Sequence, residues 1–86
     1  MIPGEYRDTL EAAIRHAYKA GLIVDDDYWR SEAVAVYYNR YRGNESYVIV
    51  TKQGLFLCVK RCWDNYKKRY EAWASVESDW PDCNCL

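Results

Sequence analysis

Between Ala33 and Lys60 the sequence passes through three segments rich in β-branched and aromatic residues, separated by the glycine-containing dipeptides Gly43-Asn44 and Gln53-Gly54. This punctuation restricts that part of the chain to an antiparallel meander, because two-residue loops join antiparallel neighbours and cannot hold the crossover a parallel pair needs. The expected strands are Ala33 to Arg42, Glu45 to Lys52 and Leu55 to Lys60.

Helical patterning flanks the meander. From Glu5 to Ala20, apolar residues recur at helical spacing (Tyr6, Leu10, Ala13, Ile14, Ala17, Tyr18), and Gly21 stands where a left-handed cap ends a helix. Leu22-Ile23-Val24 should tuck under the core, and Asp25-Asp26-Asp27 should cap a short turn through Tyr28, Trp29 and Arg30. After the strands, Cys62, Trp63, Tyr66, Tyr70, Trp73 and Val76 read as the apolar stripe of a last helix, from Arg61 or Asp64 to about Val76. The expected fold class is therefore α+β: a single small domain in α-β-β-β-α order, with a three-stranded antiparallel meander packed on N- and C-terminal helices. The domain covers residues 1–76, and residues 77–86 form an irregular, acidic, Cys-containing tail. That order is similar to the double-stranded-RNA-binding fold in topology alone; the family's Gly-rich turn before a Lys-Lys-x-Ala-Lys helix start is absent.

Tight turns fix register, and register fixes faces. With Gly43-Asn44 as the first loop, Arg42 faces Glu45 and Tyr38 faces Ile49. With Gln53-Gly54 as the second, Lys52 faces Leu55 and Val50 faces Leu57. One sheet face then carries Ala35, Tyr37, Asn39, Tyr41, Val48, Val50, Leu55, Leu57 and Val59, the expected core side. The other gathers Tyr38, Tyr47, Ile49 and Phe56 inside a ring of Arg40, Arg42 and Lys60, the expected contact surface. A three-residue second loop, Lys52-Gln53-Gly54, would flip the third strand and turn Phe56 and Cys58 to the core.

The chain holds nine Tyr and four Trp but one Phe. Tyr and Trp pair an apolar body with a polar tip, which suits interfaces. Residues 40–69 hold eight basic and two acidic groups, while both ends are acidic and the net charge is −1. The basic middle and its aromatics could hold phosphates and stack on bases, although a near-neutral balance is unlike a dedicated nucleic-acid binder.

No recognised catalytic constellation appears, so the expectation is no enzyme and no cofactor. His16, the single histidine, reads as a surface helix position. Three consecutive acids, Asp25 to Asp27, cannot all turn to one ion, and no metal site is expected there. Cys58-x3-Cys62 and Cys83-x-Cys85 lack the spacing of paired zinc knuckles. With no basic and apolar leader, the expected location is cytoplasmic, where thiols stay reduced; a disulfide within the tail or between tail and sheet is the lesser reading. No uncharged run is long enough to span a membrane.

The expected function is a small non-enzymatic protein-binding module, an inhibitor or modulator that sterically occludes a larger protein or nucleoprotein complex. Its expected contacts are Tyr38, Arg40, Arg42, Tyr47, Ile49, Phe56 and Lys60, with Asp25, Asp26, Asp27, Tyr28 and Trp29 at the flank. Phage-encoded anti-defence proteins, anti-CRISPRs among them, share this size and style without a shared motif. Nucleic-acid binding through the basic-aromatic sheet face and the last helix, with its basic cluster Lys60, Arg61, Lys67, Lys68 and Arg69, is the alternative, and homodimerisation through that sheet face is a variant.

Overall fold

The computed structural model describes residues 4–23 and 25–85, with side chains from Asp8 onward; Val24 lies outside the described residues. Two helices, α1 (Gly4–Lys19) and α2 (Asp26–Glu32), precede four strands, β1 (Ala33–Tyr41), β2 (Asn44–Thr51), β3 (Phe56–Asp64) and β4 (Arg69–Glu77). The strands form one antiparallel sheet in the order β1-β2-β3-β4. The domain is mixed α+β.

Both helices end as their sequences dictate. Gly21 takes a left-handed φ of 72°; its N–H donates to the Tyr18 carbonyl at 3.0 Å and the Leu22 N–H to the Ala17 carbonyl at 2.9 Å. That double bond pattern satisfies carbonyls the helix leaves open. Asp25 caps α2 by accepting from the Tyr28 N–H at 3.1 Å. Ile23 is buried and Leu22 is exposed.

The turns differ in detail from the sequence expectation, and the details decide the faces. The first hairpin turns at Arg42-Gly43, both with positive φ, and Tyr41 pairs with Asn44. Successive positive φ values match the twist of a hairpin. This moves β1 by two residues against β2, so facing partners keep their parity: Tyr38 meets Tyr47 and Tyr37 meets Val48. The second loop is Lys52-Gln53-Gly54. Thr51 closes it, donating its N–H to the Leu55 carbonyl at 2.9 Å and accepting the Leu55 N–H on Oγ1 at 3.0 Å. Gly54, at φ 77°, supplies the left-handed residue of such a loop. Here β3 is displaced by one residue from the two-residue-loop register, so Val50 faces Phe56 and Ile49 faces Leu57. A one-residue displacement exchanges the sides of every β3 side chain.

The expected last helix is two strands. Asp64 bends the chain by accepting the Tyr66 N–H at 2.8 Å and the Lys67 N–H at 3.1 Å, and Lys68 takes a left-handed φ of 54°. This Asp-Asn turn reverses β3 into β4, where Tyr70, Ala72, Ala74 and Val76 alternate along one face. The expected Cys62–Val76 stripe is thus split between the two faces of the sheet, with Cys62 and Trp73 on one and Trp63, Tyr70 and Val76 on the other. The parallel with the double-stranded-RNA-binding order ends there.

The sheet is covered on both sides. On one, α1 lays Leu10, Ala13, Ile14 and Ala17 against Tyr47, Ile49, Leu57 and Val59, with Trp29 and Ile23 closing the cluster. The two alanines let the helix approach closely enough to bury these large sheet residues. Tyr47 and Ile49, expected on the open surface, are therefore core: Ile49 is 0% exposed and Tyr47 4%. On the other side the tail crosses the sheet, and Val48, Cys58 and Cys83 form a second small core with Val50 and Phe56 against it. Disulfides Cys58–Cys83 and Cys62–Cys85 pin the tail, so the cysteines are bonded rather than reduced. Both sheet cysteines share the tail-facing side because they lie four residues apart on one strand.

Candidate interaction surface at the two-hairpin end

Antiparallel order brings the Arg42-Gly43 tip and the 65–68 tip to the same end of the sheet, beside one another. Two contacts join the hairpins. The Asn44 side-chain oxygen accepts the Trp63 backbone N–H at 2.9 Å, and the Tyr70 hydroxyl rests over Gly43, where a Cβ would stand only 2.5 Å from it. Gly43 is thus required twice, for its φ of 82° and for this approach.

Aromatic and cationic side chains alternate over this end. Tyr41, Trp63 and Tyr66 are exposed, Tyr66 almost completely at 99%. The Arg61 guanidinium stacks 4.1 Å from the Tyr70 ring centre, and Arg42 lies 5.2 Å from that of Tyr41. Trp63 meets Tyr70 edge-on at 5.2 Å and donates its indole N–H to Asn65 at 3.0 Å. Stacking fixes these guanidinium planes while leaving their N–H edges open to planar acceptors.

The acids of this end are already engaged. Glu71 pairs with Arg69 at 2.8 Å and Lys67 at 3.2 Å, and the Arg69 hydrogen bond, then that of Lys67, holds its carboxyl below the usual range. Asp64 is held low by the Lys67 and Tyr66 backbone N–H groups. Glu45 accepts from the Tyr47 hydroxyl at 3.2 Å and the Tyr38 hydroxyl at 3.4 Å and lies 3.6 Å from His16. Burial, then the Glu45 charge, pushes both phenols above their usual value. Among the described residues Arg40, Arg42, Arg61 and Lys68 have no carboxylate within ion-pair distance.

Of the contacts expected from sequence, Arg40, Arg42 and Tyr38 reach or border this end. Phe56 is half-buried on the tail side under Trp80, ring centres 5.5 Å apart, and the Lys60 ammonium donates to the Asn84 carbonyl at 3.3 Å. Asp25, Asp26, Asp27, Tyr28 and Trp29 lie at the opposite end, ahead of β1. Trp29 is buried, and Asp26 binds Arg30 at 2.7 Å. Arg30 also grips Glu11 with two bonds of 2.8 and 3.0 Å, which ties α2 to α1. Tyr41, Trp63, Tyr66 and Tyr70 escaped the sequence reading because they were assigned to the core or to a helix; the Asp64-Asn65 turn signal could have found the last three.

Beside the tail runs a groove of about 550 Å³, lined among others by Lys60, Trp73, Ser75 and Asn84. Among the described residues there is no cluster of three His, Cys, Asp or Glu side chains placed to hold a metal ion, and no helix is long and apolar enough to cross a membrane. The arrangement offers stacked guanidinium groups, open aromatic faces and a scaffold tied by two disulfides. No protein-family model matches the chain, and neither a curated protein nor a solved structure matches it.

Proposed function

We propose that the chain is a non-enzymatic protein-binding module that docks through its two-hairpin end and acts by blocking a surface of a larger protein. The observation that carries this reading is Tyr41, Trp63 and Tyr66 standing exposed among Arg40, Arg42, Arg61 and Lys68, which have no carboxylate partner among the described residues. Tyr, Trp and Arg dominate binding hot spots, and side chains fixed by stacking lose little further freedom on docking. Guanidinium edges select a partner surface rich in carboxylates, which they meet with paired hydrogen bonds. The two disulfides favour work in an oxidising compartment over the cytoplasmic location expected from the sequence.

The test is capture from host material on immobilised wild-type chain, Tyr66→Ala with Arg42→Glu, and Asp27→Lys as the control at the far end. The reading expects a protein retained by wild type and Asp27→Lys and lost by the hairpin variant, with equal melting temperatures. Equal retention by all three chains, or retention abolished by nuclease, overturns it; the nuclease result would move the function to nucleic-acid binding.

A further inference from the structure

Edge strands normally carry a device against pairing with other chains: a bulge, a proline, an inward charge or a covering segment. At the first edge, β1 has a bulge between Ala33 and Ala35, and α2 leads directly into it. At the other edge, β4 has neither proline nor bulge: its nine residues pair with β3 in unbroken register, and no described segment pairs with its outer side. Its apolar side chains Trp73 and Val76 are about half exposed.

The charges on β4 complement themselves in one arrangement. Centred on Trp73, an antiparallel copy places Arg69 opposite the partner's Glu77, Tyr70 opposite the partner's Val76, Glu71 opposite the partner's Ser75 and Trp73 opposite the partner's Trp73. The two-fold axis repeats each pair, so two opposite-charge pairs close the ends. Arg69, Glu71, Trp73, Ser75 and Glu77 lie on the tail side of the sheet, so the charged pairs and the paired indoles share that face. A parallel copy would instead set Arg69 against Arg69 and Glu77 against Glu77. Sliding the antiparallel copy by two residues toward the tail sets Glu71 against the partner's Glu77.

From this self-complementarity we infer that a second copy of this chain pairs with β4, joining two sheets into one of eight strands. The contact is a strand edge about 30 Å long at roughly 3.4 Å per residue, so the association is reversible rather than permanent. Antiparallel pairing sends the two hairpin ends to opposite ends of the dimer, so each copy keeps Tyr41 and Arg42 free.

Sedimentation equilibrium on the purified chain tests this without any other partner. Wild type should show a monomer–dimer equilibrium. Arg69→Glu and Glu77→Arg should each weaken it by on the order of tenfold, from two lost cross-strand pairs and two like-charge contacts. Mixing the two variants should restore dimers, read by native mass spectrometry as the mixed mass, because each variant's reversed charge then meets its complement. The doubly swapped chain, R69E with E77R, should dimerise like wild type. A wild-type chain that stays monomeric at its solubility limit overturns the inference, as do single variants that dimerise undiminished or a mixture with no mixed dimer. Circular dichroism confirms that each variant is folded, and the doubly swapped chain carries the test if a single variant is not.

Discussion

Removing the disulfides one at a time should give unequal losses. Cys58–Cys83 closes a separation of 25 residues and Cys62–Cys85 one of 23, and the two loops overlap almost completely. By loop-closure entropy, either bridge alone contributes about 3.5 kcal/mol at 25 °C. Once one is present the second closes only the short circuit through 58–62 and 83–85, roughly six residues, and adds about 2 kcal/mol. Paired Ser substitution of either bridge should therefore cost about 2 kcal/mol, and loss of the remaining bridge a further 3.5 or so. An 86-residue domain has a total stability of only about 4–13 kcal/mol, so the fully reduced chain stands near its unfolding threshold.

The assay is urea unfolding of the Cys58→Ser/Cys83→Ser chain, the Cys62→Ser/Cys85→Ser chain and wild type, each with and without reductant. In parallel thermal melts, the melting temperature should fall by about 8–16 °C for either pair substitution and by more on full reduction. Equal first and second losses would refute the overlapping-loop reasoning. Indifference of wild type to reductant, or disulfide mapping that joins Cys58 to Cys62, would refute the pairing itself.

Other perturbations separate the remaining arguments. Ile49→Ala should cost about 2–5 kcal/mol by chemical denaturation, whereas Val34→Ala, at an exposed β1 position, should cost less than about 0.5; equal costs would contradict the placement of the core. Gly43→Ala and Gly54→Ala share the strain of a left-handed φ, about 1 kcal/mol, but only Gly43→Ala meets the Tyr70 hydroxyl. Its larger loss in the same unfolding assay should shrink in a Tyr70→Phe background. Burial holds the His16 pKa below its ordinary value despite Glu45 nearby, so the unfolded chain binds that proton more readily. The His16 contribution is then intact above the ordinary value, about 6.5, and lost as pH falls through it toward the depressed folded value. Unfolding midpoints compared at about pH 7.5 and about pH 5.5 should show a drop that His16→Gln reduces.

Local punctuation was legible in the sequence and long-range covering was not. Gly21 and Asp25 announced the two helix ends because capping depends on residues within a few positions. Gly43 and Gly54 announced two turns, but a turn shifted by one residue still contains its glycine, so composition alone could not fix the register of β3. The choice of buried face failed for a different reason. Val48 and Val50 are apolar and were assigned to the helix-packed side, and Phe56 to the open surface, yet a tail reaching back across the sheet covers all three, while Tyr47 satisfies its hydroxyl on Glu45 inside the helix-facing core. Which segment returns to cover a sheet depends on the paired positions of Cys58 with Cys83 and Cys62 with Cys85, and spacing along the chain does not encode that pairing. The last helix failed because Trp63, Tyr66, Tyr70 and Trp73 satisfy helical spacing by coincidence, and the weight given to them hid the Asp64-Asn65 turn.

Covering both faces also narrows where this molecule can meet others. Helices occupy one side of the sheet and the pinned tail much of the other, leaving the hairpin tips, the outer edges and the groove beside the tail. Exposed aromatics stand at those places, Tyr41 and Tyr66 near the tips and Trp73 on the β4 edge and groove, while Tyr18, Tyr37 and Trp80 are exposed elsewhere. Their charged neighbours are sorted as well, with Arg40, Arg42, Arg61 and Lys68 toward the hairpin end and Asp25, Asp27, Glu77 and Asp79 toward the other. A protein that needed only to stay soluble gains nothing from such sorting, because interspersed signs keep a surface hydrated equally well. Sorted charge orients encounters: under the two proposals it would turn the hairpin end toward an acidic partner and a second copy of the chain antiparallel. One polarity along the strands thus supports both docking at the tips and pairing at the β4 edge, and reversing either Arg69 or Glu77 alone acts on the second while leaving Tyr41, Arg42 and Tyr66 in place for the first.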